Sequence, residues 1–209
     1  MVVRAVSESV VAGSGTKVAI RDAAVKLFGS KGFEQTSLRE VADAVGITKA
    51  SLYYHYPSKL DLLLSIIDPI TDHLRSVVED IDAVPHDAEG IRAVLRTYLR
   101  GMIRNRDAGA LCIRDTVAIL NAMADRYPDL MNSNRVLRVW LAGPDATPEM
   151  ELRACAALEV LGVALTSMEF VPAADDVTVE TTLLDAATSV LTGCGSGRPP
   201  HAGRRDVSA

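Results

Sequence analysis

Ser37–Leu64, SLREVADAVGITKASLYYHYPSKLDLLL, packs three helix starts into one short span and decides the fold. Ser37 followed three residues later by Glu40 is a capping box, in which hydroxyl and carboxylate each satisfy a backbone N–H that the first helical turn leaves unpaired. A helix is expected from there, with Val41, Ala42 and Val45 at helical spacing and Gly46, able to take positive φ, as its stop. Ile47 is the apolar turn residue. Thr48 caps a second short helix, about Lys49 to Tyr54, which closes before Pro57 because a residue preceding proline is pushed out of the helical region. Ser58 with Asp61 repeats the capping box and opens a long third helix.

Two short helices joined by a tight glycine-containing turn form a helix-turn-helix pattern, the unit that lays its second helix in the major groove of DNA. The second helix carries suitable chemistry: Lys49, Ser51, Tyr53, Tyr54 and His55, with Lys59 just beyond, offer donors to phosphates and base edges. Arg39, in the first turn of the preceding helix, reaches the same face, while Leu52 points inward and locks the two helices together. A helix-turn-helix pattern is also compatible with two helices that merely pack, and tyrosines with half-buried rings and wet hydroxyls.

The string Gly46-Ile47-Thr48-Lys49-Ala50-Ser51-Leu52-Tyr53-Tyr54-His55-Tyr56-Pro57-Ser58-Lys59 resembles the DNA-binding signature of TetR-type (TetR/AcrR) transcriptional regulators. Upstream, Ala19–Phe33 is similar to that family's first helix, with Ala23, Ala24, Leu27 and Phe28 as packing face and Gly32 as stop, and Glu34-Gln35-Thr36-Ser37 to its approach to the second. The resemblance covers roughly residues 17–65, about a quarter of the chain. It implies a DNA-facing set of Thr36, Ser37, Arg39, Thr48, Lys49, Ala50, Ser51, Tyr53, Tyr54, His55 and Lys59. In that family the residue matching Tyr53 contacts the DNA backbone, and those matching His55 and Lys59 contact phosphates. Tyr56 departs from the pattern, which more often has phenylalanine; its ring is expected to pack between helices.

Charge supports a division of labour. Residues 1–60 hold eight Lys+Arg against five acids, a balance of +3, so the chain total of −5 leaves −8 for the remainder. A modestly basic head on an acidic body approaches a polyanion in one orientation and is repelled in the others. The 209 residues, 48% hydrophobic, suffice for one or two domains with a substantial core. No secretory signal is read at the amino terminus, and the most apolar run, Ala154–Met168, carries Glu159 and falls short of the ~20 residues a bilayer requires. Cys112, Cys155 and Cys194 are few and far apart, which fits a reducing cytoplasm and gives neither a zinc site nor a disulfide framework. A cytoplasmic protein with no membrane partner, no cofactor and no metal is expected.

Beyond the head the chain reads as helices throughout, so the fold class is all-α. Ser58–Ile81 is one amphipathic segment that Pro69 must kink or split. Glu89–Arg104 carries Arg92, Arg96 and Arg100 as a solvated stripe; Asp107 or Asp115 starts the next segment, ending near Tyr127, and Leu130–Ala142 follows. Pro148 or Glu149 opens a helix to about Phe170, and Asp176 or Thr178 the last, to about Leu191. Both are rich in small residues that permit close approach. The organisation expected is a flexible arm over residues 1–16, a helix-turn-helix domain over 17–64, an effector-binding and dimerisation domain over 65–193 and a flexible tail over 194–209.

The resemblance implies a homodimer paired through the last two long helices, bound to a palindromic double-stranded operator, and a small-molecule effector in a cavity between the fourth helix and the seventh or eighth. Candidate lining residues are Leu63, Ile67, Ile70, Leu99, Met102, Ile103, Leu111, Thr116, Leu120, Met123, Trp140, Leu161, Leu165 and Met168, which favour an uncharged, largely apolar ligand. The function expected is a ligand-responsive repressor. The alternatives are a helical enzyme or a protein-only adaptor. The sequence holds no Gly-x-Ser-x-Gly, no Gly-x-x-x-x-Gly-Lys and no His-Glu-x-x-His for the first, and the second leaves the donor-rich helix unexplained.

Overall fold

The computed structural model describes residues 2–114 and 128–193. The first helix, α1, spans Val2–Lys31. It therefore runs through the stretch expected to be an arm over residues 1–16; extending an existing helix escapes the cost of nucleation, and this stretch contains no proline. Gly32, at φ 96°, ends it. The helices α2 (Leu38–Val45) and α3 (Lys49–His55) follow. Ser37 forms the full capping box with Glu40, Gly46 closes α2 at φ 75°, and the Thr48 hydroxyl accepts the Ser51 N–H at 3.1 Å.

Ser58 caps α4 (Lys59–Glu79), its hydroxyl accepting the Asp61 N–H at 3.0 Å. Of the kink or split expected at Pro69, the split does not occur: α4 is one element, with Leu62, Leu63, Leu64, Ile66, Ile67, Thr71 and Leu74 buried on both sides of the proline. Its first half belongs to the head. Leu62, Leu63, Ile66 and Ile67 join Ile20, Ala24, Phe28, Leu38, Val41, Leu52 and Tyr56 in one core, so the head reaches past residue 64.

The body comprises α5 (Ala88–Arg104), α6 (Arg106–Arg114), α7 (Pro128–Ala142), α8 (Pro148–Gly162) and α9 (Asp176–Thr192). Beyond α8 the chain tightens into a 3-10 turn at Val163–Thr166 and one helical turn at Ser167–Phe170, rather than continuing as a single helix to Phe170. Leu95, Leu99, Leu137, Ala154, Ala157, Leu161 and Ala187 are central to a second core. Leu111 of α6 joins the head core from the body, with Ala108 packed against it.

The arginines of α5 keep between 36% and 59% of their side chains exposed, as a solvated stripe would, and each also meets an acid of α9. Arg92 binds Asp185 at 2.6 Å, Arg100 and Arg96 reach Glu180 at 2.9 and 3.8 Å, and Arg106 of α6 binds Asp176 at 2.8 Å. Asp176, Glu180 and Asp185 thus tie α9 to α5 and α6, while α8 packs along it as well.

Candidate nucleic-acid interface

The head brings α2, α3 and the start of α4 to one concave surface of about 480 Å³, whose lining includes Ser37, Arg39, Lys49, Tyr53, Ser58 and Lys59. Leu52, fully buried, holds α3 against the head core and thereby fixes which side of α3 faces out. Arg39 is largely exposed, with Asp43 one turn on at 3.9 Å, too loose to tie it down. Lys49 lies over the Tyr53 ring at 5.5 Å, and Tyr53 itself is 42% exposed. Tyr54, at 87%, projects into solvent with its ring edge-on to His55 at 5.4 Å. Thr48, Ala50 and Tyr54 are exposed and Ser51 and His55 half-buried, and none of the five lines the concavity.

Two residues of the expected set line the concavity while also holding the scaffold together. Thr36 is buried, its hydroxyl donating to the Gly32 carbonyl at 2.8 Å and the Leu27 carbonyl at 3.3 Å, so its side chain closes α1. The Lys59 ammonium donates to the carbonyls of Phe33 and Glu34 at 2.9 and 3.2 Å and stands 4.4 Å from the Phe33 ring centre. It clamps α4 onto the α1–α2 connection, leaving one of its three donors uncommitted. Gln35, exposed on the rim, is a donor that the sequence reading leaves out; its signal is its place just ahead of the capping box.

Glu40 supports the same surface. It accepts the Ser37 backbone N–H at 2.8 Å and pairs with Lys31 of α1, and these bonds, led by the lysine's, hold its carboxyl down to about 2. The start of α2 is thus anchored on both sides, which fixes where Arg39 stands. Tyr56 is buried as expected, its hydroxyl donating to the Lys17 carbonyl at 3.4 Å.

Residues 20–66 match the family model described as "Bacterial regulatory proteins, tetR family". Over its helix-turn-helix head the chain is similar to the TetR family. The HTH-type transcriptional repressor KstR2 of Rhodococcus jostii is 30% identical over 130 residues, 61% of this chain and 63% of that protein. The match therefore spans less than two thirds of that relative's length. Among solved structures, the TetR family regulator PfmR of Thermus thermophilus superposes with a TM-score of 0.62 at 24% identity, covering 84% of this chain and 98% of that one. The ketosteroid transcriptional regulator KstR2 of Mycobacterium tuberculosis gives 0.63 at 16%, covering 85% and 93%. These likenesses establish the fold: a helix-turn-helix head followed by a helical body.

The expected pocket residues divide between the two cores. Leu63, Ile67 and Leu111 are buried in the head core; Leu99, Met102, Ile103, Trp140 and Leu161 belong to or pack against the body core. Ile70 and Leu165 are half-buried, and Met168 is 53% exposed at the surface. Thr116, Leu120 and Met123 lie outside the described residues. Among the described residues no three His, Cys, Asp or Glu side chains gather as metal ligands, and no helix is long and apolar enough to cross a membrane.

Proposed function

We propose that this chain is a DNA-binding transcriptional repressor whose homodimer holds a two-fold operator and releases it when a small, largely apolar effector binds the body. The concave face carries this reading. Arg39, Lys49 and Tyr53 stand together there on two short helices fixed by caps, an arrangement that lets the cations meet phosphates while Tyr53 addresses the groove, with Ser51 beside the concavity on α3. His55 and the exposed Tyr54 continue the DNA-facing set along α3, and Lys59 serves chiefly to position α4 beneath it. The relatives named as repressors support the same reading.

Dimerisation through α8 and α9 is supported by apolar side chains left open in the single chain. Leu152 of α8 is 71% exposed and Val177 of α9 73%, with exposed Ala156 and Val163 continuing the Leu152 face. The exposed apolar face of α8 around Leu152, Ala156 and Val163, with Val177 at the start of α9, is what two copies would share. The effector belongs in the body, around half-buried Met102 and Trp140, and the division is a head of residues 17–64, extended by the first half of α4, on a body reaching to 193.

A gel-shift titration against the promoter region beside the chain's own gene tests the reading. A discrete, competitor-resistant complex supports it; binding that random DNA competes away equally rejects it and returns the enzyme and adaptor readings. Sedimentation equilibrium of the parent and Leu152→Glu tests the interface. The parent is expected as a dimer and the variant as a monomer.

A further inference from the structure

Where the head meets the body, α1, α4 and the corner between α5 and α6 surround an open cleft of about 700 Å³, within the size range of small-molecule sites. Val25, Ile66, Pro69 and Ala108 supply apolar wall. Arg21 and Lys26 enter from α1 and Arg104 from the last turn of α5, against Asp22 and Asp107, so cations exceed acids three to two. This cleft is not the body cavity expected from the sequence, since none of those expected lining residues borders it.

These three cations differ from their neighbours. Arg92, Arg96, Arg100 and Arg106 are each held by an acid of α9, and Lys31 is held by Glu40. Among the described residues, no ion pair involves Arg21, Lys26 or Arg104, and Asp22, one turn from Lys26, does not pair with it. Two cations of the head thus face one of the body across a partly apolar gap with no counter-charge bound to them. Like charges on opposite sides of a gap repel, and an anion between them converts that repulsion into attraction on both sides.

We propose that this junction cleft binds a small organic anion, a carboxylate or phosphate ester bearing a compact apolar group, with Arg21 and Lys26 of the head and Arg104 of the body as its charge partners. The apolar group rests on Val25, Ile66 and Pro69. Such a ligand bridges the two modules and fixes the head relative to α5 and α6. Its influence on DNA rests on the repressor reading; its binding does not.

Isothermal titration calorimetry of the full chain without DNA decides the binding, using phenyl phosphate and phenylacetate as probes and 2-phenylethanol as the neutral analogue. At least one anion is expected to bind saturably at one site per chain, weakening as salt rises, while the alcohol does not. The triple variant Arg21→Ala/Lys26→Ala/Arg104→Ala should lose about tenfold or more in affinity, and Arg138→Ala, removing an exposed arginine outside the cleft, should lose none. Where the triple variant does not fold, Lys26→Ala at its exposed position should cost about threefold alone. The two anions report separately which head group is preferred. Binding by neither anion, equal binding by the alcohol, or anion binding indifferent to the cleft substitutions overturns the proposal. Because DNA is absent, failure here is distinct from failure to bind an operator.

Discussion

Gly101→Ala should destabilise the chain although alanine is the better helix former. The α4–α5 crossing depends on the missing side chain: a Cβ built at Gly101 would stand 1.8 Å from His73 Cδ2, 2.0 Å from Nε2 and 2.5 Å from Cγ. The ring cannot slide away freely, because Nε2 lies 3.0 Å from the Thr97 carbonyl and donates to it. Alanine must therefore push the helices apart or break that bond. Overpacking of this kind costs about 1–3 kcal/mol and a lost hydrogen bond about 1 more, against a helix-propensity gain of about 1. The net loss is about 1–3 kcal/mol. With His73→Ala in the same chain the obstacle is gone, and Gly101→Ala should be neutral or stabilising by up to about 1 kcal/mol. Urea unfolding of the four proteins at one fixed concentration measures the cycle. Stability of Gly101→Ala equal to the parent, or the same loss with and without His73, would refute the reasoning.

Lys59→Ala should cost about 1–2 kcal/mol of stability through the lost carbonyl bonds, and lower the salt slope of DNA binding by less than the ~0.9 expected for a lysine spent on one phosphate; an unchanged stability with a full-unit fall would restore it as a phosphate contact. Glu40 has a carboxyl held to about 2, below its ordinary 4.5, so the unfolded chain takes up protons first as pH falls. Its contribution is complete above pH 4.5, is lost as pH drops through about 2, and is absent from Glu40→Gln; equal stability-against-pH slopes for parent and variant across that window would sink the assignment. Glu180→Gln leaves Arg96 and Arg100 without their shared acid and should destabilise by about 0.5–1 kcal/mol at low salt, an effect that shrinks in high salt; a salt-independent loss would mean packing rather than charge.

The parts of this fold legible in the sequence were those written locally. Ser37 with Glu40, Thr48 and Ser58 with Asp61 are each resolved within a single helical turn, and Gly46 adopts the positive φ that its place at the end of α2 requires. What was not legible depends on residues far apart in the chain. Arg100 and Glu180 are eighty residues apart, so the stripe on α5 gave no sign of its partner on α9. Lys59 meets carbonyls of Phe33 and Glu34, and backbone acceptors leave no trace in residue type. Thr36 enters the reading only through the DNA-facing set that the resemblance implies, because nothing local says that its hydroxyl closes α1. Pro69 looked like a break because propensity is local and the burial that holds α4 together on both sides of it is not.

The most direct test of the DNA-facing surface is the affinity of the parent and Tyr53→Ala for the promoter fragment, measured by fluorescence anisotropy beside sedimentation of both proteins. Tyr53 lies on the concavity without belonging to the buried core, so its truncation should leave the dimer and the fold intact. The expected result is specific binding by the parent and a loss of about 1–3 kcal/mol in the variant with unchanged association. Equal affinity of the two proteins for the fragment would contradict the assignment of this face to DNA.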